Sequence, residues 1–185
     1  MTKRLFLAIN LPPKIKVELS DLVLKLQKNN KNKPVKWVEK DNFHLTLHFL
    51  GDTPKEKIQT INQALEQIVA DFKTLNFQLS DSIDAFPNLA EPKVIFLDMK
   101  ELNDGMTIKL QKALGQALSK LDFEIDPRPF RLHLTLGRVK LKATINIPNF
   151  SIQLSDFRIQ SIDLMASELT PAGPIYSIIK SYPLS

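Results

Sequence analysis

The 185-residue chain contains no cysteine. That excludes disulfides, thiolate catalysis and cysteine-ligated zinc, and makes a reducing cytoplasm the expected compartment. No apolar run approaches the roughly 20 residues that a membrane helix requires. The opening "MTKRLFLAINLPPK" has a short apolar core after two basic residues. Asn10 and two prolines end it and no small-residue cleavage site follows, so it reads as a strand and not as a secretory signal. No low-complexity tract or long linker divides the chain. Residues 1–185 are therefore expected to form a single domain of two interlocked lobes. Histidine is scarce, with three in all.

What is present is ordinary for a globular protein: 43% hydrophobic and 24% charged residues, too apolar for disorder. The formal charge is +5 with a pI near 9.3. A modest basic excess suits polyanionic partners such as RNA or nucleotides, and equally suits a solvated lysine-rich surface.

Periodicity predicts strands over 4–12, 35–38 and 43–51, then over 75–80, 83–87 and 93–99, and later over 150–157, 159–169 and 175–184. Helices are expected over 13–28, 53–72 and 101–121. The second has Thr53 as N-cap, Pro54 at the first position and Glu56 completing a capping box. In the third, Gly115 weakens an otherwise amphipathic pattern. The two halves echo each other as strand, amphipathic helix, proline-bearing approach and the tetrapeptide "HLTL". That echo reads as a weak internal duplication whose two-fold pseudo-symmetry would set the copies face to face.

The tetrapeptide occurs at His44–Leu47 in "FHLTLHFLG" and at His133–Leu136 in "RLHLTLGRVK", and it uses two of the three histidines. Strand alternation places His44, Thr46 and His48 on one face and Leu45, Leu47 and Phe49 on the other, core-facing one. His133 and Thr135 share a face in the second copy. Side chains at i and i+2 stand about 7 Å apart, so both could touch one phosphate. An imidazole titrates near neutrality and serves as acid or base. A threonine hydroxyl donates to a non-bridging oxygen. Two such strands in opposition would set one imidazole on each side of a phosphorus atom, which suits in-line displacement with no metal where a cyclic phosphate supplies strain. Zinc is the alternative. His44 and His48 lie roughly 13 Å apart on a strand, so a zinc site would need His44, His133 and a carboxylate such as Asp126.

At these residues the sequence resembles the two-histidine phosphoesterase superfamily, named for paired His-x-Thr-x motifs. Within it, the chain is similar to the bacterial and archaeal RNA 2′,3′-cyclic phosphodiesterases, also called 2′-5′ RNA ligases. "RLFLAINLP", "VKWVEKDNFHLTLHFLG", "FPNLAEPKVIFLDM", "RPFRLHLTLGRVK" and "SELTPAGPIYSIIKSYPL" match the family's blocks in order. The resemblance implies a bilobal, pseudo-symmetric α+β fold, with antiparallel-rich sheets lining a central cleft and helices outside. It implies hydrolysis of an RNA 2′,3′-cyclic phosphate end to a 2′-phosphomonoester. No cofactor or metal is expected, and a monomer is the default expectation. By carry-over His44 would be the proton donor to O3′ and His133 the base that activates water. Thr46 and Thr135 would hold phosphate oxygens, and Arg138 would contact phosphate if a bulge or strand end near Gly137 re-aims it. Phe6 and Phe130 offer stacking surfaces, with core packing expected for Phe6. His48 stays outside the chemistry, at the cleft mouth or in solvent. The basic residues at 128, 131, 138 and 140 either track an RNA backbone or form a solvated rim. Two readings remain beside hydrolysis of RNA ends: 2′-5′ ligation or hydrolysis of another cyclic or 2′-5′-linked nucleotide by the same imidazoles, and RNA binding without catalysis.

Overall fold

The computed structural model describes residues 1–148, 156–171 and 173–185. In order these form β1 (Thr2–Asn10), α1 (Pro13–Asn29), β2 (Val35–Trp37), a 3₁₀ turn (Lys40–Asn42), β3 (His44–Pro54) and α2 (Lys57–Val69). There follow β4 (Leu75–Phe86), β5 (Val94–Glu101), α3 (Met106–Ser119), β6 (His133–Val139), β7 (Asp156–Ile159), β8 (Ser161–Leu169) and β9 (Pro174–Pro183). Among the described residues no helix is long and apolar enough to cross a membrane.

All strand pairs are antiparallel and make two sheets, ordered β3-β1-β8-β9 and β2-β6-β5-β4-β7. The expected duplication is visible in that order. β3-β1-β8-β9 is matched by β6-β5-β4-β7, so each histidine strand lies beside the strand that opens its own half. β2, from the first half, adds to the second sheet outside β6. β1 is central and apolar from Leu5 to Ile9, the part covered on both faces. Leu5, Leu7 and Ile9 enter the main core, whereas Phe6 and Ala8 join Met165 in a small cluster on the opposite face. α1 starts at Pro13, where a missing N–H costs nothing, and buries Ile15, Leu19, Leu22, Val23 and Leu26. It ends at Asn30, whose buried amide donates to the Leu26 and Asn146 carbonyls, each at 2.8 Å.

Three predicted boundaries move. The helix expected over 53–72 begins only at Lys57, because β3 continues to Pro54 in register with Thr2. Thr53 is buried in that strand, and its hydroxyl donates to the Gly51 carbonyl (3.1 Å) rather than capping α2. An edge strand tolerates the terminal proline because no partner needs its N–H. The strands expected over 75–80 and 83–87 are one, β4. Its pairing with β5 steps from Leu79↔Met99 to Ile83↔Leu97, so the polar Ser80–Ser82 segment bulges outward while the ladder continues. The helix expected over 101–121 begins at Met106. β5 runs to Glu101, and the turn that follows needs Gly105 at φ +73°, a region that favours glycine. Of the strand expected over 150–157, residues 150–155 lie outside the described residues, and β7 begins at Asp156.

Candidate active site

The two "HLTL" strands carry the same irregularity. β3 pairs with β1 as Ala8↔Thr46 and then Leu7↔His48, leaving Leu47 as an extra residue. β6 pairs with β5 as Phe96↔Thr135 and then Ile95↔Gly137, leaving Leu136 extra. An inserted residue reverses the facing of everything beyond it. His44 and Thr46 therefore face the cleft and Leu45 and Leu47 the core, but the next residue, His48, is turned inward. It is buried, and its Nε2–H donates to the Gln111 carbonyl of α3 at 2.7 Å. Phe49 comes out onto the cleft, 65% exposed. Both placements reverse strict alternation, which sets His48 in the cleft and Phe49 in the core. The same step in β6 buries Gly137 and swings Arg138 onto the face of Thr135. Arg138 and Phe49 thus occupy equivalent positions in the two halves.

Each motif imidazole is fixed in the same manner. His44 Nδ1–H donates to the Asn42 carbonyl (2.8 Å), and His133 Nδ1–H donates to the Arg131 carbonyl (2.7 Å). A carbonyl only accepts, so Nδ1 carries the proton in both rings and Nε2 is left for chemistry. His44 Nε2 stands 3.0 Å from the Thr46 hydroxyl. Aromatic rings brace each imidazole. Phe6 and Tyr176 lie 5.1 and 5.2 Å from His44, and Phe86 and Phe96 lie 5.1 and 5.3 Å from His133. Phe6 is buried as expected, but beneath His44 and not in the main core.

Burial is the chief reason that both imidazoles titrate below their usual 6.5, since a desolvated ring resists charging. For His44 the hydrogen bond to Asn42 opposes this, and the charges of Lys16, Arg138 and His133 add to it. For His133 the Arg131 carbonyl opposes it. Arg131 and Arg138 push its pKa lower, and the Asp98 carboxylate raises it. That His44 feels His133, and that both feel Arg138, places these groups within one electrostatic neighbourhood.

A cleft of about 740 Å³ opens between the sheets. Its wall includes His44, Thr46, Thr135 and Arg138, with Phe6, Phe49 and Tyr176 on one side and Lys36, Trp37 and Lys140 on the other. His133 is not part of that wall; it lies two residues before Thr135 on the same face of β6. Of the predicted basic group, Arg138 and Lys140 reach the cleft. Arg128 is paired with Asp126, and Arg131 holds Asp98 (2.9 Å) and Asp84 (3.0 Å) while its guanidinium lies over Phe96 (4.6 Å). Arg131 therefore buttresses His133 instead of tracking a backbone. Phe130 packs against the core and is absent from the cleft wall. The zinc alternative has no ligand set: among the described residues no three histidine or carboxylate side chains converge, and Asp126 is occupied by Arg128. Sequence reasoning missed Phe49, Tyr176, Lys36, Trp37 and Asn42. Asn42 supplies the carbonyl that holds His44, and its amide reaches the Pro174 carbonyl at 3.3 Å. None of these residues belongs to a repeated motif. They meet only because β2, β3 and β9 border the same cleft.

The family model described as LigT like phosphoesterase matches residues 9–96 and 105–176. The chain is 32% identical over 183 residues to the RNA 2′,3′-cyclic phosphodiesterase of Archaeoglobus fulgidus, covering 97% of this chain and 99% of that one. It is 34% identical over 188 residues to the protein of that name from Methanocaldococcus jannaschii, with the same coverage of each chain. Among solved structures it is similar to Escherichia coli LigT complexed with 3′-AMP, at a TM-score of 0.83 and 25% identity over 100% of this chain and 99% of that one. TT0787 of Thermus thermophilus gives a TM-score of 0.82 and 26% identity over 98% and 97%. The match to the family model across both motifs, with the near full-length likeness in sequence and structure, shows that this chain belongs to the LigT-like phosphoesterases and has the two-histidine phosphoesterase fold.

Proposed function

We propose that this phosphoesterase hydrolyses the 2′,3′-cyclic phosphate at an RNA end, the group for which its relatives are named, and that the product is a 2′-phosphomonoester. A 2′-phosphate product requires O3′ to leave. His133 Nε2 takes a proton from water as the water oxygen bonds to phosphorus. The P–O3′ bond breaks on the opposite side, and His44, entering as imidazolium, delivers its Nε2 proton to O3′. The Thr46 and Thr135 hydroxyls and the Arg138 guanidinium hold non-bridging oxygens as charge grows on them. Turnover leaves His133 protonated and His44 neutral, and exchange with solvent restores the starting forms. The five-membered ring supplies strain and the imidazoles supply proton transfer, so the reaction as proposed uses no metal ion.

Burial lowers the pKa of both imidazoles, so the assignment of donor and acceptor rests on the departure of O3′ and not on the electrostatics. Phe49 is exposed and lines the cleft with His44, which offers the terminal base a ring on which to stack. We also read the chain as a single domain with interlocking halves, since β2 of the first half completes the sheet of the second.

One observation carries the proposal. Two imidazoles on equivalent strands are each fixed at Nδ1 by a main-chain carbonyl, which leaves both Nε2 atoms free of the main chain, that of His44 on the Thr46 hydroxyl at 3.0 Å. The test is the mass and end group of the product from an oligoribonucleotide ending in a 2′,3′-cyclic phosphate, with EDTA present. A 2′-phosphate end is expected, lost in His44→Ala and in His133→Ala while both variants keep the native fold. Full turnover in either variant, or a 3′-phosphate product, overturns the assignment.

A further inference from the structure

We propose that Lys140, seconded by Lys36, forms a subsite for the internucleotide phosphate next to the reacting one. The substrate class is then an oligonucleotide end rather than a mononucleoside cyclic phosphate. This rests on the hydrolytic reading above.

Lys140 follows Arg138 by two residues, and the backbone between them stays paired. Val139 N–H donates to the Lys93 carbonyl (2.9 Å) and Lys140 N–H to the Pro34 carbonyl (2.7 Å). Alternation beyond the Leu136 bulge returns the Lys140 side chain to the cleft, where Arg138 and Lys140 share a wall. Side chains two apart on a strand are separated by about 7 Å, comparable to the step between successive phosphates of one nucleic-acid strand. Lys36 lies directly opposite Arg138 in the β2–β6 register and lines the same wall. Its ammonium extends to the turn before β9, where a Cβ on Gly173 would stand 2.8 Å from Nζ.

What sets Arg138 and Lys140 apart is their place together in a concave wall. Among the described residues the cleft cations Arg138 and Lys140 have no carboxylate partner, although Glu39 stands in the same wall. Positive charge left uncompensated in a concave wall concentrates the field there and draws a polyanion. With Arg138 on the cyclic phosphate, the phosphate one step away is the terminal nucleotide's own 5′-phosphodiester, which a mononucleoside cyclic phosphate lacks.

The test compares adenosine 2′,3′-cyclic phosphate with the dinucleotide ApA carrying the same cyclic end. The unsubstituted chain should prefer the dinucleotide in kcat/KM by roughly tenfold, as for one charge-assisted contact. Lys140→Gln should lower that ratio several-fold, and the pair Lys36→Gln with Lys140→Gln should bring it near unity. The salt dependence of log kcat/KM for the dinucleotide should flatten by about 0.7, the value of one phosphate on a single strand. A ratio near unity in the unsubstituted chain, or a ratio and salt slope unmoved in the double variant, overturns the subsite. If neither compound is turned over, the hydrolytic reading has failed instead. The affinities of adenosine 2′-phosphate and of ApA with a 2′-phosphate end then decide, and only a ratio lowered by Lys140→Gln keeps the subsite.

Discussion

Each motif imidazole is pinned through Nδ1 and braced by two rings, so the orientation of Nε2 does not depend on substrate. Such preorganisation removes an ordering cost from the reaction. Burial lowers both pKa values below 6.5, and this fixes a pH prediction. In the proposed roles the base must be neutral, so kcat/KM should fall as pH drops through the His133 value. The acid must be protonated, so kcat/KM should also fall as pH rises through the His44 value. Both limbs should lie to the acid side of those for unperturbed imidazoles. In kcat they should move upward, because the bound anionic phosphate favours protonation. A pH profile of kcat/KM that is flat between about pH 5 and 8, the range over which histidine ordinarily titrates, would rule out paired imidazole catalysis. At this scale alternation locates His44, Thr46, His133 and Thr135 from sequence. It fails for His48 and Phe49, because a bulge depends on how many residues the partner strand spends over the same length.

At the scale of elements, the bulge after "HLTL" ties β3 to α3. His48 points at the third helix, and a Cβ at Gly115 would stand 2.9 Å from its Cε1. The glycine that weakens the helical pattern is there because the imidazole occupies the space of a methyl group. Gly115→Ala should gain about 1 kcal/mol of helix propensity. It should nevertheless destabilise the chain by roughly 1–2 kcal/mol, since moving His48 off the Gln111 carbonyl leaves buried polar groups unsatisfied. In a His48→Ala background the same change should stabilise. Urea unfolding of the four members of this cycle reads the sign directly, and equal effects of Gly115→Ala in both backgrounds would refute the coupling. The displaced start of α2 has a similar origin. "TPKE" satisfies a local capping pattern, but pairing with β1 claims Thr53 and Pro54 first, so a longer ladder overrides a cap of about 1 kcal/mol.

For the whole molecule, all three histidines are held below their ordinary pKa, each chiefly by burial. The unfolded chain takes up protons near pH 6.5 that the folded chain resists. Their contribution to stability is therefore complete above about pH 6.5 and is lost as pH falls from there through the lowered folded values. The urea midpoint should drop between about pH 7.5 and 5, and a midpoint that stays constant would contradict the burial of the three rings. The sequence by itself determined the α+β class, most strands, the three helices and the paired His-x-Thr faces. These depend on periods of about two and 3.6 residues that act over a few neighbours. Only the tertiary structure decided that β3 lies at the edge of one sheet and β6 inside the other, across a common cleft. It also decided that Arg138 and Phe49 turn toward the cleft while His48 turns away. The physical reason is that strand register, bulges and the choice of sheet partner are settled by groups far apart in the chain competing for the same hydrogen bonds and core volume.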